Sequence, residues 1–92
     1  MLIDFDPAKN AKNIRERGLS FERAAEFDFL SATYLFDDRQ DYGELRQIAI
    51  GYLDGRLHFL CFVQTPDGIR VVSFRKANSR EARKYDRPIT LN

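Results

Sequence analysis

The chain has 92 residues, 43% of them hydrophobic and 32% charged, with a formal net charge of +1. That is enough apolar material for one packed core over residues 1–92, too little for two and too much for a disordered tail. A lone Cys61 excludes an internal disulfide, no apolar run is long enough to span a bilayer, and Met1-Leu-Ile-Asp-Phe-Asp lacks a secretory pattern, so the cytoplasm is the expected location.

Leu2-Ile3-Asp4-Phe5 reads as a short first strand. Asp6-Pro7 then supplies an N-cap and a first-turn proline, opening a helix whose inward face is expected at Ala8, Ala11 and Ile14 and whose stop is Gly18. Ser20 caps a second helix, with Leu19 packing on Ala24 and a buried stripe of Phe21, Ala24 and Ala25. Thr33–Phe36 is β-branched and aromatic, hence a strand, and the polar stretch 39–44 is a loop. Arg46–Leu53 and Leu57–Val63 flank Asp54-Gly55, the pattern of a two-residue hairpin. A turn at Thr65-Pro66-Asp67-Gly68 leads to Ile69–Phe74, and Asn78-Ser-Arg-Glu81 announces a capped helix over Ser79–Tyr85, limited by Pro88. This order predicts an α+β fold: an antiparallel sheet with two N-terminal helices on one face and a short C-terminal helix.

Charge is unevenly placed. Residues 1–45 carry six Lys and Arg against ten Asp and Glu, whereas residues 46–92 carry nine against four. The imbalance points to a basic surface suited to nucleic acid. There is no glycine-rich phosphate loop and no Cys or His pair at metal-ligand spacing, so no metal or cofactor is expected. His58, the single histidine, stands in a strand between Leu57 and Phe59 on the face of Leu60 and Phe62, which reads as packing rather than as a general base. Cys61 reads likewise as a small buried hydrophobe.

The stretch from Ile69 to Tyr85 carries the chemistry. Its strand delivers Ser73 and Arg75 to one face, Arg75 and Lys76 end it, and Arg80, Arg83 and Lys84 follow on the helix. Arg75, at the strand's exposed end, is expected to contribute little packing. Arg46 opens another strand on the side of Ile48 and Ile50 and is placed to reach the same surface. Cutting RNA through its own 2′-hydroxyl needs a proton acceptor, cations for the phosphorane and a donor for the leaving oxygen, and none of these requires a metal. Glu81 is the nearest base in sequence and Tyr85 a donor or stacking group. The catalytic candidates are therefore Arg46, Arg75, Arg80, Glu81 and Tyr85, and the RNA-binding candidates Ser73, Lys76, Arg83 and Lys84. The contrary expectation is a solvated helix whose cations pair with Glu81 and Asp86.

Three ordered segments resemble the BrnT toxins of bacterial type II toxin–antitoxin systems. They are Phe5–Asn13 with Gly18-Leu-Ser-Phe21; Asp37–Arg46 with Ile48–Gly51; and Ile69–Ala77 with Arg80-Glu81 and Tyr85. The resemblance implies a RelE-like fold and a metal-independent ribonuclease that slows translation. It also implies a BrnA-type ribbon-helix-helix antitoxin partner, with operator DNA reached only through the complex. Arg46, Ser73, Arg75, Arg80, Glu81 and Tyr85 fall on recurrent motif positions. Members often carry Lys-His before the glycine placed at Gly18, where this chain has Glu16 and Arg17, so any role of that histidine falls here to other groups. The competing expectations are a non-catalytic module that binds antitoxin or RNA, and a structural subunit of an unrelated complex.

Overall fold

The computed structural model describes residues 1–91. Strand β1 (Leu2–Phe5) leads into helix α1 (Pro7–Arg17), a 3-10 helix (Phe21–Glu26), strands β2 (Thr33–Phe36), β3 (Gln47–Leu53), β4 (Arg56–Thr65) and β5 (Gly68–Lys76), and helix α2 (Ser79–Lys84). The sheet order is β1-β5-β4-β3-β2. β2 to β5 are antiparallel neighbours, as the turn signals require, but β1 runs parallel to β5, Leu2 beside Gly68 and Phe5 beside Val71. The sheet is thus mixed, not purely antiparallel. The two N-terminal helices become one α-helix and a single 3-10 segment.

Local signals act where the sequence places them. Asp6 accepts from the Ala8 N–H, Gly18 closes α1 at φ 65° by donating to the Ile14 carbonyl, and Ser20 accepts from the Glu22 N–H. Asp54 and Gly55 both take positive φ, 52° and 71°, which gives the β3–β4 hairpin the twist of a tight two-residue turn. At Asn78 the capping box is complete in both directions.

Both faces of the sheet are buried. Alternation sends Ala49, Leu60, Phe62 and Phe74 towards the 3-10 helix, and Ile48, Ile50, Phe59 and Cys61 towards α2. α2 therefore covers the face opposite the 3-10 helix. The tail closes the end of β4, where the Leu57 N–H donates to the Ile89 carbonyl at 2.8 Å.

The inward face of α1 differs from its apolar periodicity. Ala8, Ala11 and Ile14 are exposed, and Asn13 is buried in their stead. Its amide donates to the carbonyls of Leu19 and Phe74, both at 2.9 Å, while Asn10 accepts from the Phe21 N–H at 2.7 Å. β1 stops pairing at Val71, so the Phe74 carbonyl lies beyond its reach and the helix satisfies it with a side chain. In the 3-10 helix, Phe21 and Ala24 are buried as expected, but Ala25 is exposed because three residues per turn rotate it outward. Asn13→Ala leaves two carbonyls without a donor and is expected to cost ~2 kcal/mol, lowering the melting midpoint by roughly 10 °C. An unchanged thermal melt would show that water replaces the amide at both sites.

Candidate active site

The strand-to-helix junction after β5 builds the centre of the site. Register places Arg75 opposite Phe59, on the α2 side, and its guanidinium lies 4.2 Å over the Phe59 ring. The cap at Asn78 turns Glu81 back towards the strand. Glu81 accepts from the Asn78 N–H at 3.0 Å and from Arg75, Nη1 to Oε1 at 2.9 Å and Nη2 to Oε2 at 2.8 Å. Arg75 Nη1 also donates to the Lys76 carbonyl at 3.2 Å. Glu81 thus holds the terminal edge of the guanidinium, and the lateral edge, Nε–H with the second Nη2–H, meets no acceptor among the described residues. Two parallel donors in a fixed plane match two phosphate oxygens. Arg75 is consequently far from being a loosely packed strand end.

The pairing with Arg75 holds the Glu81 carboxyl below its ordinary value, against the opposing effect of burial. A carboxylate so paired is a weak proton acceptor. Its geometry is that of a positioning group.

Arg75 also lines a cleft of about 720 Å³ at the end of the sheet. The same cleft takes Arg17 from α1, Arg23 from the 3-10 helix, Asp54 and Arg56 from the β3–β4 hairpin, His58 from β4 and Lys76 from β5. Arg23 is neutralised by Glu26 and Asp54, which hold its guanidinium above its ordinary value. Arg17 donates to Asn13 at 2.7 Å, and Arg56 donates to the Leu57 and Ala77 carbonyls at 2.5 and 3.1 Å. None of the six ion pairs among the described residues involves Arg17, Arg56 or Lys76. The cleft therefore keeps a surplus of positive charge.

His58 is 4% exposed and packs on Phe74 with ring centroids 5.5 Å apart. Its Nδ1 lies 2.7 Å from the Arg56 carbonyl oxygen. A carbonyl only accepts, so Nδ1 carries the proton, and in the neutral ring Nε2 is a bare acceptor. Burial pushes the imidazole below its ordinary value, Arg56 and Lys76 act in the same direction, and the Arg56 carbonyl and Asp54 oppose them.

The remaining candidates divide among other surfaces. Arg80, Lys84 and Tyr85 line a groove of about 340 Å³ with Glu81 and the segment Asp37–Arg39, on the far side of Phe59. The Arg39 guanidinium grips Asp37 through two 2.7 Å bonds and holds its carboxyl at about 2. Arg46 is on the α2 side of the sheet, yet it is engaged with Glu44 at 3.1 Å and over the Tyr42 ring, with Arg70 on the same Glu44 at 2.7 Å. Ser73 opens beside Lys9 and Lys12 of α1, and Arg83 faces a hollow with Asp86 and Arg87. Neither joins the cleft. The helix cations do not pair with Glu81 or Asp86 at ion-pair distance, since no ion pair among the described residues involves Arg80, Arg83 or Lys84.

Arg17, Arg23 and Arg56 are cleft residues that sequence reasoning did not single out. Arg17 carried the one available signal, its place beside the helix stop Gly18. Cys61 is buried with its thiol pushed up by burial. Among the described residues no three His, Cys, Asp or Glu side chains stand together as a metal site, and no helix is long and apolar enough to cross a membrane.

Arg75, clamped by Glu81 and bordering a cation-lined cleft, gives this small α+β domain a candidate seat for an anion. The family described as the ribonuclease toxin, BrnT, of type II toxin–antitoxin systems matches residues 5–81, and the chain belongs to it. No curated protein matches the chain significantly. It is a ribonuclease toxin, and membership entails an antitoxin partner. The match includes every residue of the cleft, Glu81 and Arg80, and ends before Arg83, Lys84 and Tyr85.

Proposed function

We propose that this toxin cuts RNA without a metal, by attack of a 2′-hydroxyl on the adjacent phosphate, with that phosphate seated on the free edge of Arg75. The observation that carries this reading is the guanidinium itself, clamped at one edge by Glu81, flat on Phe59 and unpartnered at the other edge. Arg17, Arg56 and Lys76 gather the backbone from the cleft side. Arg80, Lys84 and Tyr85 take the neighbouring nucleotides on the groove side, the tyrosine ring serving as a stacking surface. Arg46 and Arg83 extend the attraction at longer range, and Ser73 offers a hydroxyl to RNA beside Lys9 and Lys12.

The reading includes a cytoplasmic, RelE-like toxin of one domain, slowing translation by removing RNA. Its antitoxin is of the BrnA type, a ribbon-helix-helix protein through which alone the pair reaches operator DNA. An acidic or amphipathic antitoxin segment laid over Arg75 and Arg80 would remove the phosphate seat directly, and binding that relies on such charges weakens as salt rises.

Induction of the chain alone is expected to arrest growth, and co-expression of the neighbouring small gene to relieve it. Purified chain incubated with RNA in chelator should release fragments. Unimpaired growth with soluble protein present sinks the reading, and RNA retained without cleavage replaces it with a binding module.

A further inference from the structure

The geometry points to His58 as a catalytic residue of that cleavage, its Nε2 accepting the proton of the 2′-hydroxyl whose neighbouring phosphate sits on Arg75. This rests on the RNA-cleavage reading and adds to it the missing proton acceptor. Three observations carry it.

The tautomer is fixed, because the Arg56 carbonyl oxygen takes the Nδ1 proton at 2.7 Å. Nε2 has no hydrogen-bond partner among the described residues, yet no buried side-chain nitrogen or oxygen there is left unsatisfied. The bare nitrogen therefore has solvent access, and the cleft that the ring lines provides it. Finally, β4 pairs His58 with Lys76 and Phe59 with Arg75, so the ring and the arginine leave adjacent strands on opposite faces, and both border the cleft where the sheet ends.

Packing alone does not account for the residue. β4 fills its other buried positions with Leu57, Phe59, Leu60, Cys61 and Phe62, whereas an imidazole in a cationic cleft needs a carbonyl to satisfy one nitrogen and gains nothing at the other. The groups facing it are Arg17 from α1, Arg23 from the 3-10 helix, Asp54 and Arg56 from the hairpin, and Arg75 and Lys76 from β5. Burial above all, with the charges of Arg56 and Lys76, keeps the ring neutral and ready to accept. A bound phosphate offsets that charge and raises the proton affinity of Nε2 when it is needed.

The step balances without a co-reactant. The 2′-hydroxyl proton passes to Nε2, the O2′–P bond forms and the P–O5′ bond breaks. O5′ takes a proton from water in the open cleft, the imidazolium returns one to solvent, and the products are a 2′,3′-cyclic phosphate and a 5′-hydroxyl.

Because this is the only histidine, its ring resonances are unambiguous by NMR. The titration midpoint should lie below the ordinary imidazole value of 6.5 in the free chain and rise when a 2′-deoxy oligonucleotide, which cannot be cut, is bound. Cleavage of the matching RNA from pH 5 to 9 should increase through the neutral form of His58 and then level off. His58→Gln should lose ~10²–10⁴-fold in kcat, with little change in KM, and lose the acid limb of the profile. A folded His58→Gln that keeps the rate and the limb overturns the inference, as does a midpoint indifferent to the oligonucleotide. In that event, loss of cleavage in Arg75→Ala would still uphold the RNA reading. Wild-type chain that binds RNA and never cuts it overturns both.

Discussion

Arg75→Ala abolishes growth arrest and lowers RNA cleavage by ~10²–10³-fold, the expected consequence of removing one preorganised cation from a phosphorane-like transition state. The side chain does more than carry charge. It covers Phe59 and occupies both oxygens of Glu81, so its removal strands a half-buried carboxylate and is expected to cost ~1–3 kcal/mol in stability as well. Melts must therefore accompany the assay. Arg75→Lys separates the two effects, keeping a positive charge and most of the stem but losing the planar fork, and it should recover stability without recovering the rate. A folded Arg75→Ala that still arrests growth would put the phosphate elsewhere, on Arg17, Arg56 and Lys76 in the cleft or in the Arg80–Lys84 groove.

Phe74→Ala is expected to unfold much of the population at physiological temperature. Phe74 is fully buried, edge-on to Phe27 at 6.2 Å and beneath the His58 ring. Truncation of such a residue costs ~3–5 kcal/mol, a large part of the ~5–15 kcal/mol that holds a small domain together. The backbone carbonyl of the same residue anchors α1 through Asn13, so the cavity lies directly below the helix attachment. Phe74→Leu should cost far less, under about 1.5 kcal/mol if neighbours repack. Equal midpoints for the alanine and leucine variants in denaturant titration would mean that the ring is not the keystone of this core.

The devices that the sequence announces correctly are those that act within a few residues. Asp6-Pro7, Gly18, Ser20, Asp54-Gly55 and the Asn78–Glu81 box each satisfy nearby backbone groups or impose a local dihedral, and each lies where its chemistry puts it. What escaped depends on distant chain. Nothing in Leu2–Phe5 says that its partner is Gly68–Val71 in parallel, and nothing in the Ala8, Ala11, Ile14 periodicity competes with two carbonyls, Leu19 and Phe74, that need a donor from Asn13.

The site divides along the same line. Arg75 and Glu81 stand in one contiguous motif, but spacing does not foretell their pairing: it follows from the Asn78 cap turning Glu81 back to the strand. Arg46 shares their side of the sheet, but Glu44 and Tyr42 engage it locally. That Arg17 and His58 border the same cleft is invisible to spacing, because it follows from α1 being tied to β5 by Asn13. Strand alternation placed His58 correctly on the face of Leu60 and Phe62. It could not show that the cleft opens at the end of that face.

The shared Oε1 of Glu81, which accepts from both the Asn78 N–H and Arg75, makes helix nucleation and site assembly a single event. α2 has only six residues, too few to be stable without its cap and its packing on the sheet. When its first turn frays, Glu81 leaves with it and the fork swings free. The time for which Arg75 stays clamped is thus the closed lifetime of one short helix, a local opening far less costly than global unfolding.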